Sequence, residues 1–118
     1  MDEHCTLAEL RSHVARFNEE REWAQFHNPR NLAMAVSVEA GELLELFLWS
    51  SDDGPQPPVD SRKDSVSHEM ADVLICLLSL SARMDIDLAE AVREKLRING
   101  AKYPVEKARG RMEKSDEL

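Results

Sequence analysis

The sequence predicts an all-α fold, a four-helix bundle that is completed by oligomerisation. Apolar residues recur at helical spacing in four segments of the 118-residue chain. Helix-start signals precede them, among them the capping-box tetrad Thr6-Leu7-Ala8-Glu9 and the Asn28-Pro29 pair. No strand-like alternation of apolar and polar residues extends beyond four residues.

Each of the four helices is bounded by its own start and stop signals. The predicted bounds are Thr6 to about Trp23, Pro29 to about Trp49, about Asp64 to Met84, and Leu88 to Asn99 after an Asp87 N-cap. Gly100 is the predicted stop of the last helix. Residues 51–63, with three prolines and a glycine, form a predicted linker, and residues 105–118 a poorly ordered polar tail. We expect residues 1–118 to form a single domain.

The composition limits the classes of partner. A net charge of −8 argues against a nucleic-acid partner bound through a broad basic face. Cys5 and Cys76 do not make a disulfide framework. Charged residues run through the first twenty positions, so we expect no signal peptide, and the apolar run from Val73 to Leu78 is too short to cross a bilayer. We therefore predict a cytoplasmic protein with neither a nucleic-acid nor a membrane partner.

Helices 2 and 3 are apolar on more than one face. Helix 3 is almost uniformly apolar from Met70 to Met84. A helix that is apolar all round is normally buried, and four helices cannot bury two of their number completely. We therefore predict that helix 3 and part of helix 2 pack against another subunit.

Acidic residues interrupt these apolar helices at positions three apart. Glu39 and Glu42 lie on helix 2, and Glu69 and Asp72 on helix 3, so each pair shares a helix face. A buried carboxylate needs a partner, a proton or a metal. If the two helices are antiparallel, the pairs face each other, and four oxygen ligands favour Mg²⁺ or Mn²⁺ over Zn²⁺. Glu45 fits the spacing but is expected outside this ligand set.

Two segments resemble the signature of the MazG-like family, in which an E-E-x-x-E element is followed by E-x-x-D. They are V-E-A-G-E-L-L-E at 38–45 and H-E-M-A-D-V-L at 68–74, with Val38 where many members carry a first glutamate. The segments 20–32, 46–49, 95–99 and 102–104 are similar to the dCTP pyrophosphatase branch of that family. The resemblance covers the chain from about residue 7 to about residue 110.

This resemblance implies a function and a site. It implies an all-α oligomer assembled from dimers, often a tetramer, that uses Mg²⁺ to cleave a deoxynucleoside triphosphate, here dCTP or a 5-modified dCTP, into the monophosphate and pyrophosphate. Glu39, Glu42, Glu69 and Asp72 are the implied metal ligands. Among them we expect Glu42 and Glu39 to be catalytic, with Glu42 as the general base. The implied substrate contacts are Trp23, His27, Asn31 and Trp49 for base and sugar, and Lys95, Asn99, Lys102 and Tyr103 for phosphate and sugar.

Two further positions carry expectations. Phe17 is expected in the core. In the related branch a tyrosine often stands where this chain has Cys76, and a thiol cannot supply the same hydrogen bond or ring, so base or sugar selectivity is expected to differ. Cys76 itself is expected to be inert, because an apolar setting raises the pKa of a thiol.

Three alternatives remain open. A di-iron carboxylate bundle would use Glu-x-x-His pairs, and no glutamate here has a histidine three residues later. A non-enzymatic helical interaction module would leave the acids solvated. Within the enzyme class, the alternative is a relative with another base preference or a broad tolerance of nucleoside triphosphates.

Overall fold

The structure, a computed structural model, describes residues 1–48 and 62–118. These residues form helices and turns without a strand, which confirms the predicted all-α fold. Trp49 and almost all of the predicted linker lie outside the described residues. The helices are α1 (Leu7–Glu20), a 3₁₀ helix (Trp23–Phe26), α2 (Pro29–Glu45), α3 (Lys63–Arg83), α4 (Leu88–Lys102), α5 (Val105–Ala108) and a final 3₁₀ turn (Ser115–Glu117).

The predicted starts of α1, α2 and α4 are confirmed by their caps. The Thr6 hydroxyl accepts a hydrogen bond from the Glu9 backbone N–H at 3.1 Å, and the Glu9 carboxylate accepts one from the Thr6 N–H at 3.4 Å. The Asn28 and Asp87 side chains each accept from the backbone N–H of the third residue of their helices, at 2.8 and 3.0 Å. These caps are local, which is why the sequence alone identifies them.

The end of α1 differs from the prediction. The helix stops at Glu20, because Glu22 adopts a left-handed backbone with φ of 54°. The Arg21 guanidinium donates to the Phe17 carbonyl at 3.1 Å and so satisfies one of the last carbonyls of the helix. Trp23 consequently lies in the short 3₁₀ helix rather than on α1.

The end of α4 also differs from the prediction. The helix passes through Gly100 and ends at Lys102, so Gly100 is not its stop. Pro104 disfavours a helical backbone at Tyr103, which has φ of −123° and ψ of 65°. The segment predicted to be a poorly ordered tail begins with the one-turn helix α5, which starts directly after that proline.

The helices α2 and α3 pack side by side and α1 packs on α3. Glu42 on α2 lies beside Glu69 on α3, and Glu39, one turn earlier on α2, lies beside Asp72 and Cys76. Residue numbers therefore increase in opposite directions along the two helices. The two helices are therefore antiparallel, the condition on which the predicted carboxylate site depends.

The buried core of this helix trio is small. Among the described residues only Leu32 and Leu78, at 3% and 2% exposure, and the polar Ser81 are buried. The Ser81 hydroxyl donates to the Leu78 carbonyl at 2.8 Å, which satisfies it within α3. Most apolar side chains on α2 and α3 keep substantial exposure.

The described residues fall into two compact units, Met1–Ile86 with α1 to α3, and Asp87–Leu118 with α4 and α5. That they form a single domain stays a prediction. By length and composition alone, α3 is long and apolar enough to cross a membrane, a property that core helices of water-soluble proteins share.

Candidate functional site

Three of the four predicted metal ligands meet between α2 and α3. Glu39, Glu69 and Asp72 each place one carboxylate oxygen within 4.8 Å of the other two. The spacing of three residues puts Glu69 and Asp72 on one face of α3, and the antiparallel pairing brings Glu39 opposite them. Glu42 lies outside this group of three, but its carboxylate is close to both Glu39 and Glu69.

The surroundings of these carboxylates disfavour their negative charges. One oxygen each of Glu39 and Glu69 is buried without a hydrogen-bond donor among the described residues. Burial raises the pKa of Glu39, and the nearby Glu42, Asp72 and Glu69 raise it further. Burial also raises the pKa of Glu69, with Glu42 and Asp72 adding to the effect. No ion pair within residues 1–48 and 62–118 relieves the cluster.

A divalent cation would offset the repulsion between these carboxylates and pair their buried oxygens. Unpaired buried carboxylates and mutual repulsion both disfavour ionisation, and a cation at the shared position reverses both effects. The donor set consists of oxygen atoms only, with no cysteine or histidine, and therefore fits a hard cation rather than zinc.

The raised pKa values predict how the metal-free protein responds to pH. Because Glu39 and Glu69 hold protons more tightly in the folded chain than in the unfolded one, their contribution to stability is complete below the ordinary glutamate pKa. It is lost as pH rises through the raised pKa values. With EDTA present, we expect the melting temperature of the double variant Glu39→Gln/Glu69→Gln to exceed that of the wild type increasingly between about pH 5 and pH 8. A constant difference across that range would contradict the expectation.

A cleft of about 310 Å³ begins at the carboxylates and runs along α2 and α3. Asp72, Cys76 and Ser79 follow one another on one face of α3, so the cleft extends over about two turns, or about 10 Å. On α2 the corresponding sequence is Glu39, Ala35 and Leu32. The full lining is Phe17, Asn18, Trp23, His27, Asn31, Leu32, Ala35, Glu39, Asp72, Ile75, Cys76 and Ser79.

The end of the cleft away from the carboxylates is aromatic. The Phe17 and Trp23 rings meet edge to face with centroids 5.7 Å apart, and the Trp23 and His27 rings do so at 6.3 Å. Phe17 is 46% exposed and lines the cleft, so the prediction that it lies in the core is wrong. The Arg21 guanidinium covers its ring at 3.6 Å. Exposed ring surfaces in a cleft suit a planar ligand.

Asn31 connects this aromatic end to α2. Its side-chain amide donates to the Phe26 carbonyl at 2.9 Å, at the end of the 3₁₀ helix that carries Trp23. The same residue lines the cleft. Of the predicted substrate contacts, Trp23, His27 and Asn31 are thus brought into one cleft with the carboxylates.

The remaining predicted substrate contacts are not tested by this geometry. Trp49 lies outside the described residues. Lys95, Asn99 and Lys102 lie on one face of α4, at spacings of four and three residues, and Tyr103 is its C-cap. All four belong to the unit Asp87–Leu118, and their contact with substrate stays a prediction.

The cleft also contains polar residues that sequence analysis did not single out, Asn18 and Ser79. Ser79 follows Asp72 by seven residues in a mostly apolar stretch of α3, and this spacing indicates a shared helix face. Asn18 gives no such signal, because a polar residue near a helix end is expected to be solvated. Burial raises the pKa of the Cys76 thiol, and Glu39 and Asp72 raise it further, so Cys76 lines the cleft as a neutral thiol.

Fold and site together define a helical protein with a carboxylate cluster at one end of a cleft and an aromatic wall at the other. Residues 34–118 match the model of the MazG-like family. The chain belongs to the MazG-like family, as the sequence resemblance predicted.

The chain is also similar to individual members with known names and to a solved pyrophosphatase structure. Over 107 residues the chain is 46% identical to mouse (Mus musculus) dCTP pyrophosphatase 1. The aligned region covers 89% of this chain and 63% of the mouse protein. Over 115 residues it is 44% identical to human (Homo sapiens) dCTP pyrophosphatase 1, covering 96% of this chain and 68% of the relative. The chain therefore spans just under two thirds of the mouse protein. The crystal structure of a pyrophosphatase from Archaeoglobus fulgidus matches with a TM-score of 0.78 at 40% identity, covering 86% of this chain and 94% of the other.

Proposed function

We propose that the chain is a Mg²⁺-dependent nucleoside triphosphate pyrophosphohydrolase that converts dCTP or a 5-modified dCTP into the monophosphate and pyrophosphate. One observation carries this proposal: the carboxylates and the aromatic side chains line a single cleft. The names of the mammalian relatives and of the archaeal pyrophosphatase support the reaction.

In this proposal Glu39, Glu42, Glu69 and Asp72 hold Mg²⁺, for which Mn²⁺ can substitute. When bound, the metal would offset the charge of the triphosphate and withdraw electron density from the phosphoryl group under attack. The two buried carboxylate oxygens that lack donors among the described residues support this ligand set.

The protein groups then orient the substrate and move one proton. A water molecule attacks the α-phosphorus, the bond from that phosphorus to the bridging oxygen breaks, and pyrophosphate leaves. Glu42, beside Glu39 and Glu69, takes the proton from the attacking water as general base. Lys95, Asn99, Lys102 and Tyr103 are proposed to bind the phosphates and sugar.

The aromatic end of the cleft is proposed to bind the base. Trp23 offers an exposed ring and His27 a neighbouring polar edge, with Asn31 fixing the turn that carries them. Base stacking on such a ring contributes roughly 1–3 kcal/mol. Trp49 is proposed as a second stacking residue.

A broader substrate range is the second candidate, and the position of Cys76 favours it. Its small side chain lines the middle of the cleft, between the carboxylates and the aromatic wall. A short thiol excludes little volume there, so a range of sugars or bases could fit.

The test is pyrophosphate release measured with the four common dNTPs, the matching NTPs and 5-modified dCTPs, each with Mg²⁺, Mn²⁺ or EDTA. We expect equal amounts of monophosphate and pyrophosphate, with dCTP or a 5-modified dCTP the preferred substrate and no turnover in EDTA. Similar rates across the set would favour the broader range. Release of inorganic phosphate, or no turnover at all, would contradict the proposed reaction.

We also propose that the chain self-associates as a dimer or tetramer through α2 and α3. Met34 and Val38 on α2 and Met70 on α3 are 56–59% exposed, and more apolar side chains on both helices are at least one third exposed. A small domain with so little buried apolar surface gains stability from association. Sedimentation at micromolar concentration is expected to give a dimer or tetramer, and Val38→Lys is expected to weaken it. A wild-type monomer would contradict this proposal.

A further inference from the structure

A hydrogen bond between α1 and α3 lies at the aromatic end of the cleft. The Asn18 side-chain amide on α1 donates to the Ser79 hydroxyl on α3 at 3.2 Å, in a partly buried position. Both side chains line the cleft together with Trp23 and His27. Ser79 lies about two helical turns from Asp72, so the pair is at the opposite end from the carboxylates.

The same pair separates the cleft from a second cavity of about 200 Å³. Asn18, His27 and Ser79 line both spaces. The rest of the second cavity is lined by three alanines and three charged residues, Ala15, Ala24, Ala82, Arg11, Glu19 and Arg83. Because Asn18 and Ser79 line both cavities, they lie at the boundary between them. The pair therefore limits how far a ligand anchored at the carboxylates can extend.

The two side chains keep hydrogen-bonding capacity after pairing. An asparagine amide has two donor hydrogens and an acceptor oxygen, and a serine hydroxyl can donate as well as accept. Their mutual bond uses one Asn18 hydrogen and one Ser79 lone pair, and no other side-chain hydrogen bond of either occurs within the described residues. The edge of a nucleobase presents donors and acceptors side by side, which an amide can match.

We propose that the Asn18–Ser79 pair selects the base, by hydrogen bonding to its edge and by closing the cleft behind a single-ring base. This inference rests on the proposed function, because a triphosphate held at the carboxylates directs its base toward this end of the cleft. Pyrimidines are accommodated, and purines are excluded by the same pair.

The test compares kcat/KM for dCTP, dTTP, dATP and dGTP in the wild type, Asn18→Ala and Ser79→Ala. We expect each variant to lose about three- to tenfold for the preferred pyrimidine, mainly through KM, because one neutral hydrogen bond is lost. Purine turnover is expected to stay level or rise, so the pyrimidine-to-purine ratio falls. Ser79→Thr, which keeps a hydroxyl, is expected to retain most of that ratio.

Ser12→Ala, an exposed serine on α1, serves as the matched control. An equal loss for all four dNTPs in the two alanine variants would overturn the proposal, since it would indicate a purely structural bond between α1 and α3. A wild type that hydrolyses no dNTP would refute the proposed function instead. In that case the base-selection proposal is tested by the affinity of the wild type for the four deoxynucleoside monophosphates, measured by tryptophan fluorescence. Equal affinities for all four would overturn base selection by the Asn18–Ser79 pair.

Discussion

Glu39→Gln is expected to lower the rate of pyrophosphate release at least about 100-fold, because it removes an anionic ligand from the shared carboxylate position. Glu39 is one of the three residues whose oxygens meet within 4.8 Å, and one of its oxygens is buried without a donor among the described residues. The same substitution removes a negative charge from a crowded cluster. The metal-free variant is therefore expected to melt at or above the wild-type temperature.

This opposite effect on activity and stability distinguishes a metal ligand from a structural residue. The measurements are steady-state pyrophosphate release with saturating Mg²⁺ and thermal unfolding in EDTA. Glu20→Gln is the matched control, since Glu20 lies on α1 with 63% of its side chain exposed, and its activity should match the wild type. A Glu39→Gln protein with wild-type turnover would remove Glu39 from the proposed metal site.

Leu78→Ala is expected to destabilise the chain by about 2–5 kcal/mol, the range for cavities left in well-packed cores. Leu78 is 2% exposed and is one of two apolar residues buried in the described part of the chain. With so few fully buried side chains, the loss removes a large share of the core. Urea unfolding, followed by circular dichroism at fixed protein concentration, measures the change.

Leu96→Ala provides the comparison for that experiment. The same chemical change at a position 65% exposed on α4 is expected to alter the free energy of unfolding by less than about 0.5 kcal/mol. A similar loss at both positions would indicate that burial within the single chain does not determine stability, and would point to a subunit contact at Leu96.

Local chemistry explains which parts of the fold could be predicted. The caps at Thr6, Asn28 and Asp87 depend on residues within one helical turn, and all three are where the sequence indicates. Helix ends depend on competition between neighbouring signals. At α4 the restriction that Pro104 places on Tyr103 decides the end, and the glycine four residues before the proline does not.

The residues of the candidate site also differ in whether the sequence alone could identify them. Carboxylates within apolar helices are conspicuous because their burial is costly, so Glu39, Glu69 and Asp72 could be identified in advance and are found together. Asn18 and Ser79 could not, because their meaning depends on α1 and α3 lying side by side. The expectation that Phe17 lies in the core is wrong for a related reason. Helical periodicity does not reveal that α1 ends at Glu20 and that Trp23 then contacts the Phe17 ring.

The left-handed residue Glu22 has a further consequence. It separates Trp23 from α1 and leaves it on a short turn, which Asn31 ties to α2. Glu39, Glu69 and Asp72 instead lie within the two long antiparallel helices α2 and α3. If the proposed function holds, substitutions in the turn would change base preference while leaving the carboxylate cluster intact.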